Sequence, residues 1–131
     1  MAYNGPQVTV TIQASEALTD LNAGSGELYK VIDNTGAAGA AAGNSIGILQ
    51  YGADDGGNVT LAISGVSKFV AGGAVASGAS LQQANSGYLV TASSGGIVVG
   101  KNLPAAVGSG SVGTGIFNFA TPVTIVNSNG I

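Results

Sequence analysis

Apolar and polar residues alternate with a period of two along much of this chain. The segment Gln7–Gln13 puts Val8, Val10 and Ile12 on one face and Thr9 and Thr11 on the other, the pattern of a half-buried strand. Further runs of strand character lie at 28–33, 46–51, 59–64, 66–70, 88–92, 97–100, 115–119 and 123–126, parted by glycine-rich turns. Only 15–21 reads as helical: one or two turns, with Ser15 as cap and Leu18 and Leu21 three apart, closed by Asn22-Ala23-Gly24. Many short strands with such turns predict an all-β fold, a small Gly-rich β-barrel or sandwich with an extended N-terminal arm and at most one short helix. The expected organisation is an arm at 1–13 ahead of a single β domain at 14–131.

The arm carries the first expectation about partners. A terminal strand with no hairpin partner near it in sequence suits pairing with the sheet edge of another subunit, which makes Tyr3, Val8, Val10 and Ile12 expected contact residues. The loop 36–44 contains only Gly, Ala and a final Asn44; with no large side chain to anchor it, it is expected to be an excursion or a partner contact. The two halves of the chain also look alike in outline. Gly26-Glu27-Leu28-Tyr29, Ile46-Gly47-Ile48 and a strand from Val59 are matched by Gly87-Tyr88-Leu89-Val90, Val99-Gly100 and Val112. An internal repeat and the coincidences of a Gly-rich β composition both account for this.

Charge changes the picture more than any motif. All six acids (Glu16, Asp20, Glu27, Asp33, Asp54 and Asp55) precede residue 56, and beyond it only Lys68 and Lys101 are charged. Charged residues make up 7% of the chain, against about a quarter in an average soluble domain. Much of this surface is therefore expected to be covered by protein. A wide exposed area of Ala, Val, Gly and Phe in 56–131 is rare on a monomer, so Val112 and Phe117 join the expected contacts, within a closed homotrimer that buries the patch without open-ended growth. Three lysines and no arginine argue against nucleic-acid binding, which needs a clustered basic face. Hydrophobic content of 45% with a net charge of −3 argues against disorder. The opening residues have no basic region followed by an apolar one, so no cleaved secretory signal is expected. The apolar stretches fall well short of the roughly 20 residues a membrane helix needs.

The search for chemistry returns little. There is no His to serve as base for a serine nucleophile, and the residues three before Lys30, Lys68 and Lys101 are Glu27, Gly65 and Val98, so no Ser-x-x-Lys arrangement exists. Glu16, Asp20, Glu27 and Asp33 could form carboxylate pairs but read more simply as solvating charges. Asp54-Asp55-Gly56-Gly57-Asn58 lacks the terminal Glu of a calcium loop and fits a hairpin turn. Gly108-Ser109-Gly110-Ser111-Val112-Gly113 spells a dinucleotide fingerprint but leads into a strand instead of a helix, so it reads as a loop. With no Cys there are no disulfides or thiolate sites. Accordingly no enzyme activity, catalytic residue, metal or cofactor is expected.

The stretch from Ala74 to Gly113 resembles the capsid decoration, or cement, proteins of tailed bacteriophages. The resemblance rests on an Ala/Gly-rich entry (Ala74, Gly78-Ala79-Ser80-Leu81), a glycine-started strand (Gly87-Tyr88-Leu89-Val90) and a Val-Gly step with a small-residue loop (Val99-Gly100-Lys101-Asn102-Leu103-Pro104-Ala105-Ala106). Upstream, the strand–Gly–Val step from Val59 to Val66 looks similar too. The low acidity after residue 56 and the loop 36–44 depart from the family pattern. The resemblance implies a structural protein made in the host cytoplasm and bound to the outer surface of the virion head, with the major capsid protein as partner. Two other readings stay open. One is a different appendage or lattice subunit, such as a tail, fibre or surface-layer component. The other is a small-ligand or glycan-binding β module, for which Tyr3, Tyr29, Tyr51 and Tyr88 would supply stacking faces.

Overall fold

A thirteen-residue strand forms the spine of the molecule. The computed structural model describes residues 4–16, 18, 28–38, 45–93, 96–103, 105–120 and 123–124. Nine strands follow in order: β1 (Gln7–Gln13), β2 (Val31–Asp33), β3 (Ser45–Tyr51), β4 (Asn58–Val70), β5 (Ser80–Gln83), β6 (Leu89–Thr91), β7 (Ile97–Asn102), β8 (Val112–Asn118) and β9 (Val123–Thr124), with a 3-10 turn at Asn85–Gly87. They make one sheet in the order β2-β3-β4-β8-β7-β5-β6, with β1 added on β4 and β9 on β7. The expected all-β class is the one observed.

The long strand β4 does two jobs. Its first half is flanked by β1 on one edge and β3 on the other; its second half pairs antiparallel with β8 from Ser64↔Asn118 to Val70↔Val112. The sheet then turns back on itself. A parallel bridge joins Ala71 to Leu89, and the Gly72 N–H donates to the Leu89 carbonyl at 2.9 Å, which brings β6 back to the end of β4 and nearly closes a barrel.

Sequence reading divides β4 into strands at 59–64 and 66–70, with Gly65 as the break. The backbone instead runs through. Gly65 takes φ +101°, and a Cβ there would collide with the Pro6 carbonyl oxygen. Next to it, Val8 pairs with Ser64 but Thr9 pairs with Ala62, so Ile63 is the extra residue of a bulge. A glycine that looks like a terminator is the device that bends one strand around two cores.

The larger core fills the barrel and includes Ile48, Phe69, Leu81, Leu89, Phe117 and Phe119. The smaller lies on the opposite face of β3 and β4, where Leu18, Ile32, Leu49, Val59 and Leu61 are joined by partly buried Val10 and Ile12. Alternation along β4 explains the division: Val59 and Leu61 face one core, while Phe69, beyond the bulge, faces the other. Leu18 enters the small core through a β-bridge, exchanging hydrogen bonds with Ala53 at 2.9 Å in both directions. This corrects the expected helical turn at Leu18; residues 17 and 19–27 lie outside the described residues.

Candidate functional site

The contacts that tie down β1 revise the picture of a free arm. Seven residues of β1 are paired with β4 of the same chain, and the lead continues the ladder: Gly5 N–H donates to the Val66 carbonyl at 3.0 Å and Val66 N–H to the Pro6 carbonyl at 2.9 Å. Asn4 Oδ1 accepts the Lys68 N–H at 2.9 Å. The hairpin partner absent nearby in sequence is supplied from some fifty residues downstream, so one edge of β1 is taken up by β4 of the same chain.

The residues expected at partner contacts scatter accordingly. Tyr3 lies outside the described residues. Val10 and Ile12 pack on the small core. Val112 is half-buried opposite Val70. Phe117 is the clearest correction: it is 5% exposed, meets Phe69 edge-on at 5.9 Å and stacks on Phe119 at 5.6 Å. Its ring has room because β7 and β8 carry glycines beneath it. A Cβ on Gly115 would come within 2.6 Å of the Phe117 ring, and one on Gly100 would collide with it. Phe117 is therefore core, not surface.

Among the described residues of that set Val8 alone is well exposed, at 56%, and the same face carries a residue that sequence reasoning passed over: Ile116, 48% exposed. The register places both on one face. Val8 pairs with Ser64, Ser64 with Asn118, Val66 with Ile116, and Ile116 with Lys101, and directly opposed residues share a face. Val8, half-buried Val66 and Ile116 thus form a diagonal apolar row across β1, β4 and β8, with Ser64 and Asn118 beside it. Beside it Val98, Gly100, Lys101, Ile116 and Asn118 border a groove of 390 Å³. The signal was legible in β8, where Phe117 and Phe119 point in, so Ile116 and Asn118 must point out.

A second concavity, of 420 Å³, opens on the face of β1, β3 and β4 opposite the small core, lined by Thr9, Gln50, Tyr51 and Thr60 together with Asn4, Gln7 and Tyr29. Tyr51 is 66% exposed at its edge. Tyr29 holds φ +63°, which is uncommon for a residue with a side chain. It is fixed there by donation to the Leu49 carbonyl at 3.0 Å, and the Lys68 ammonium lies 5.1 Å above its ring.

Two of the four described acids serve the backbone. Asp33 Oδ1 accepts from Thr35 N–H at 2.9 Å, from Thr35 Oγ1 at 2.6 Å and from Ala37 N–H at 3.3 Å, while Glu16 accepts from Ala38 N–H at 3.3 Å. Both hold the start of the loop 36–44, whose residues 39–44 lie outside the described set, as do Asp20 and Glu27. The expected turn at 54–58 is present: Gly56 has φ +84° and Gly57 N–H donates to the Asp54 carbonyl at 2.8 Å. Among the described residues no group of three or more His, Cys, Asp or Glu is placed to hold a metal, and no helix is long and apolar enough to cross a membrane.

Fold and surface together define a single-sheet, nearly closed β protein with an exposed apolar row on one face and a polar concavity on the other. No protein-family model matches the chain, and no curated protein matches it. Among solved structures it is similar to the head fiber gp8.5 N base of bacteriophage phi29, with a TM-score of 0.64 and 15% sequence identity over 87% of this chain and 96% of that one. The likeness is one of fold, and it spans nearly the whole of both chains.

Proposed function

We propose that this chain is a structural, non-enzymatic protein of a tailed-phage head, bound to the outer surface as a decoration or cement subunit that reinforces contacts between major capsid proteins. The observation that carries the reading is the whole-length fold likeness to a phage head fiber base. Low charge adds to it, because a surface with few solvating groups is suited to cover by other protein. The row Val8–Val66–Ile116 is the face proposed to meet a second copy in a homotrimer, and closed three-fold symmetry would bury it without open-ended growth. A trimer then holds the lattice through three sites at once, so weak individual contacts give a long-lived attachment.

Heads stripped of this chain, with and without the purified protein added back, test the cement role. Addition should raise the temperature at which heads release their DNA, since a ligand that binds only the intact shell stabilises it by mass action. An unchanged release temperature at full occupancy would refute reinforcement. It would favour the second reading, the base of a fibre or other appendage, for which the described function of the phi29 neighbour is the specific support.

A further inference from the structure

We propose that the concavity between β1, β3 and β4 is a binding site for a neutral saccharide. The inference stands apart from the head-surface reading, because its test uses the isolated chain and can succeed or fail whether or not the chain attaches to heads.

The lining selects the ligand class. Thr9, Gln7, Gln50, Thr60, Asn4 and the two tyrosines line 420 Å³ without one charged side chain. The Lys68 ammonium lies 5.1 Å above the Tyr29 ring but is not itself among the lining groups, so a phosphate or nucleotide would meet no cation or helix terminus among the described lining residues; a cation would need carboxylates, and a lipid tail would need an apolar surface. A sugar needs something else: many neutral donors and acceptors on fixed supports, and a flat ring against which its C–H face can lie.

The framework supplies both. Among the described residues each amide is anchored by one end, leaving the other for a ligand. Gln7 Nε2 donates to the Val66 carbonyl at 3.1 Å, and Gln50 Nε2 donates to the Ile48 carbonyl at 3.1 Å and Ser67 Oγ at 3.0 Å, which leaves two carbonyl oxygens as acceptors. Asn4 is held the other way round, with Oδ1 taking the Lys68 N–H at 2.9 Å, which leaves its amide N–H groups as donors. The hydroxyls of Thr9 and Thr60 serve as either. Groups fixed in this way lose little rotamer freedom on binding. Tyr51, 66% exposed, is the platform, and Tyr29 is kept in place by a left-handed backbone that its hydrogen bond to Leu49 maintains. A non-glycine residue in that region is a pattern that concentrates at ligand sites.

Maltotriose, tri-N-acetylchitotriose and lactose, with inorganic phosphate as the charged control, would be titrated into the ¹⁵N-labelled full chain. At least one saccharide should shift the Thr9, Gln50, Tyr51 and Thr60 amide signals saturably, and phosphate should not. Tyr51→Ala should weaken that binding about tenfold, the contribution expected of one aromatic face, whereas Tyr51→Phe and the remote Ile116→Ala should bind as the parent does. No saturable shift from any of the three sugars, equal binding by Tyr51→Ala, or shifts produced by phosphate would each overturn the proposal.

Discussion

Adjacent residues of β8 face opposite sides of the sheet, and this makes Phe117→Ala and Ile116→Ala a sharp pair. The Phe117 ring is 5% exposed and touches both Phe69 and Phe119. Its burial contributes about 1.5–3 kcal/mol and its two aromatic contacts about 0.5–1.5 kcal/mol each. Truncation also leaves a hole that the sheet below cannot fill, since Gly100 and Gly115 bring no side chains to it. The total falls in the range of about 3–5 kcal/mol for a buried Phe→Ala, a large share of the roughly 5–15 kcal/mol that holds a domain together. At about 3–5 °C per kcal/mol for a domain of this length, Tm should fall by about 9–25 °C. Ile116 is 48% exposed, and its truncation should cost under about 1 kcal/mol. Differential scanning calorimetry would measure both, at a dilution where light scattering reports single copies, so that contacts between copies do not enter. Equal losses for the two variants, or a Phe117→Ala midpoint within about 3 °C of the parent, would refute the assignment of Phe117 to the core.

Three other outcomes follow from the same structure. Gly65→Ala should cost about 1–3 kcal/mol, because φ +101° is strained for any residue with a Cβ and the methyl group would strike Pro6; faster hydrogen exchange at Val66, whose N–H binds the Pro6 carbonyl, would report it. Deleting 1–13 should unfold or strongly destabilise the monomer, since it removes all of β1 and the Val10 and Ile12 contacts with the small core; an unchanged thermal midpoint would argue against that pairing. Association of copies should survive molar salt, because screening acts on charges and the row Val8–Val66–Ile116 proposed as their contact has none; a steep fall in the associated fraction between low and moderate salt would point to the lysines or acids as anchors.

The fold class was legible because period-two alternation and glycine-rich turns are local signals, and strands such as β1 and β3 came out close to their observed bounds. What local pattern could not show was which strands meet. The partner of β1 lies on the far side of a long intervening segment, so an internally paired strand looked like a free arm. Strand β5 was missed because Ser80-Leu81-Gln82-Gln83 has one large apolar residue; its pairing with β6 and β7 decides its conformation. The exposed apolar surface was harder still. Phe117 attracted attention by size, but facing is set by register, and register assigns the outward position to Ile116. The polar concavity gathers residues from near 4, 29, 50 and 60, a set that no spacing rule unites.

The central claim is attachment to a head, and the most direct measurement is co-sedimentation of the purified chain with heads of the encoding phage from which it has been stripped. The account predicts saturable binding with a fixed number of copies per head. It also predicts that Ile116→Asp, folded by circular dichroism, is monomeric by light scattering and loses most of its occupancy. Failure of the folded parent chain to sediment with those heads at any concentration would contradict the account.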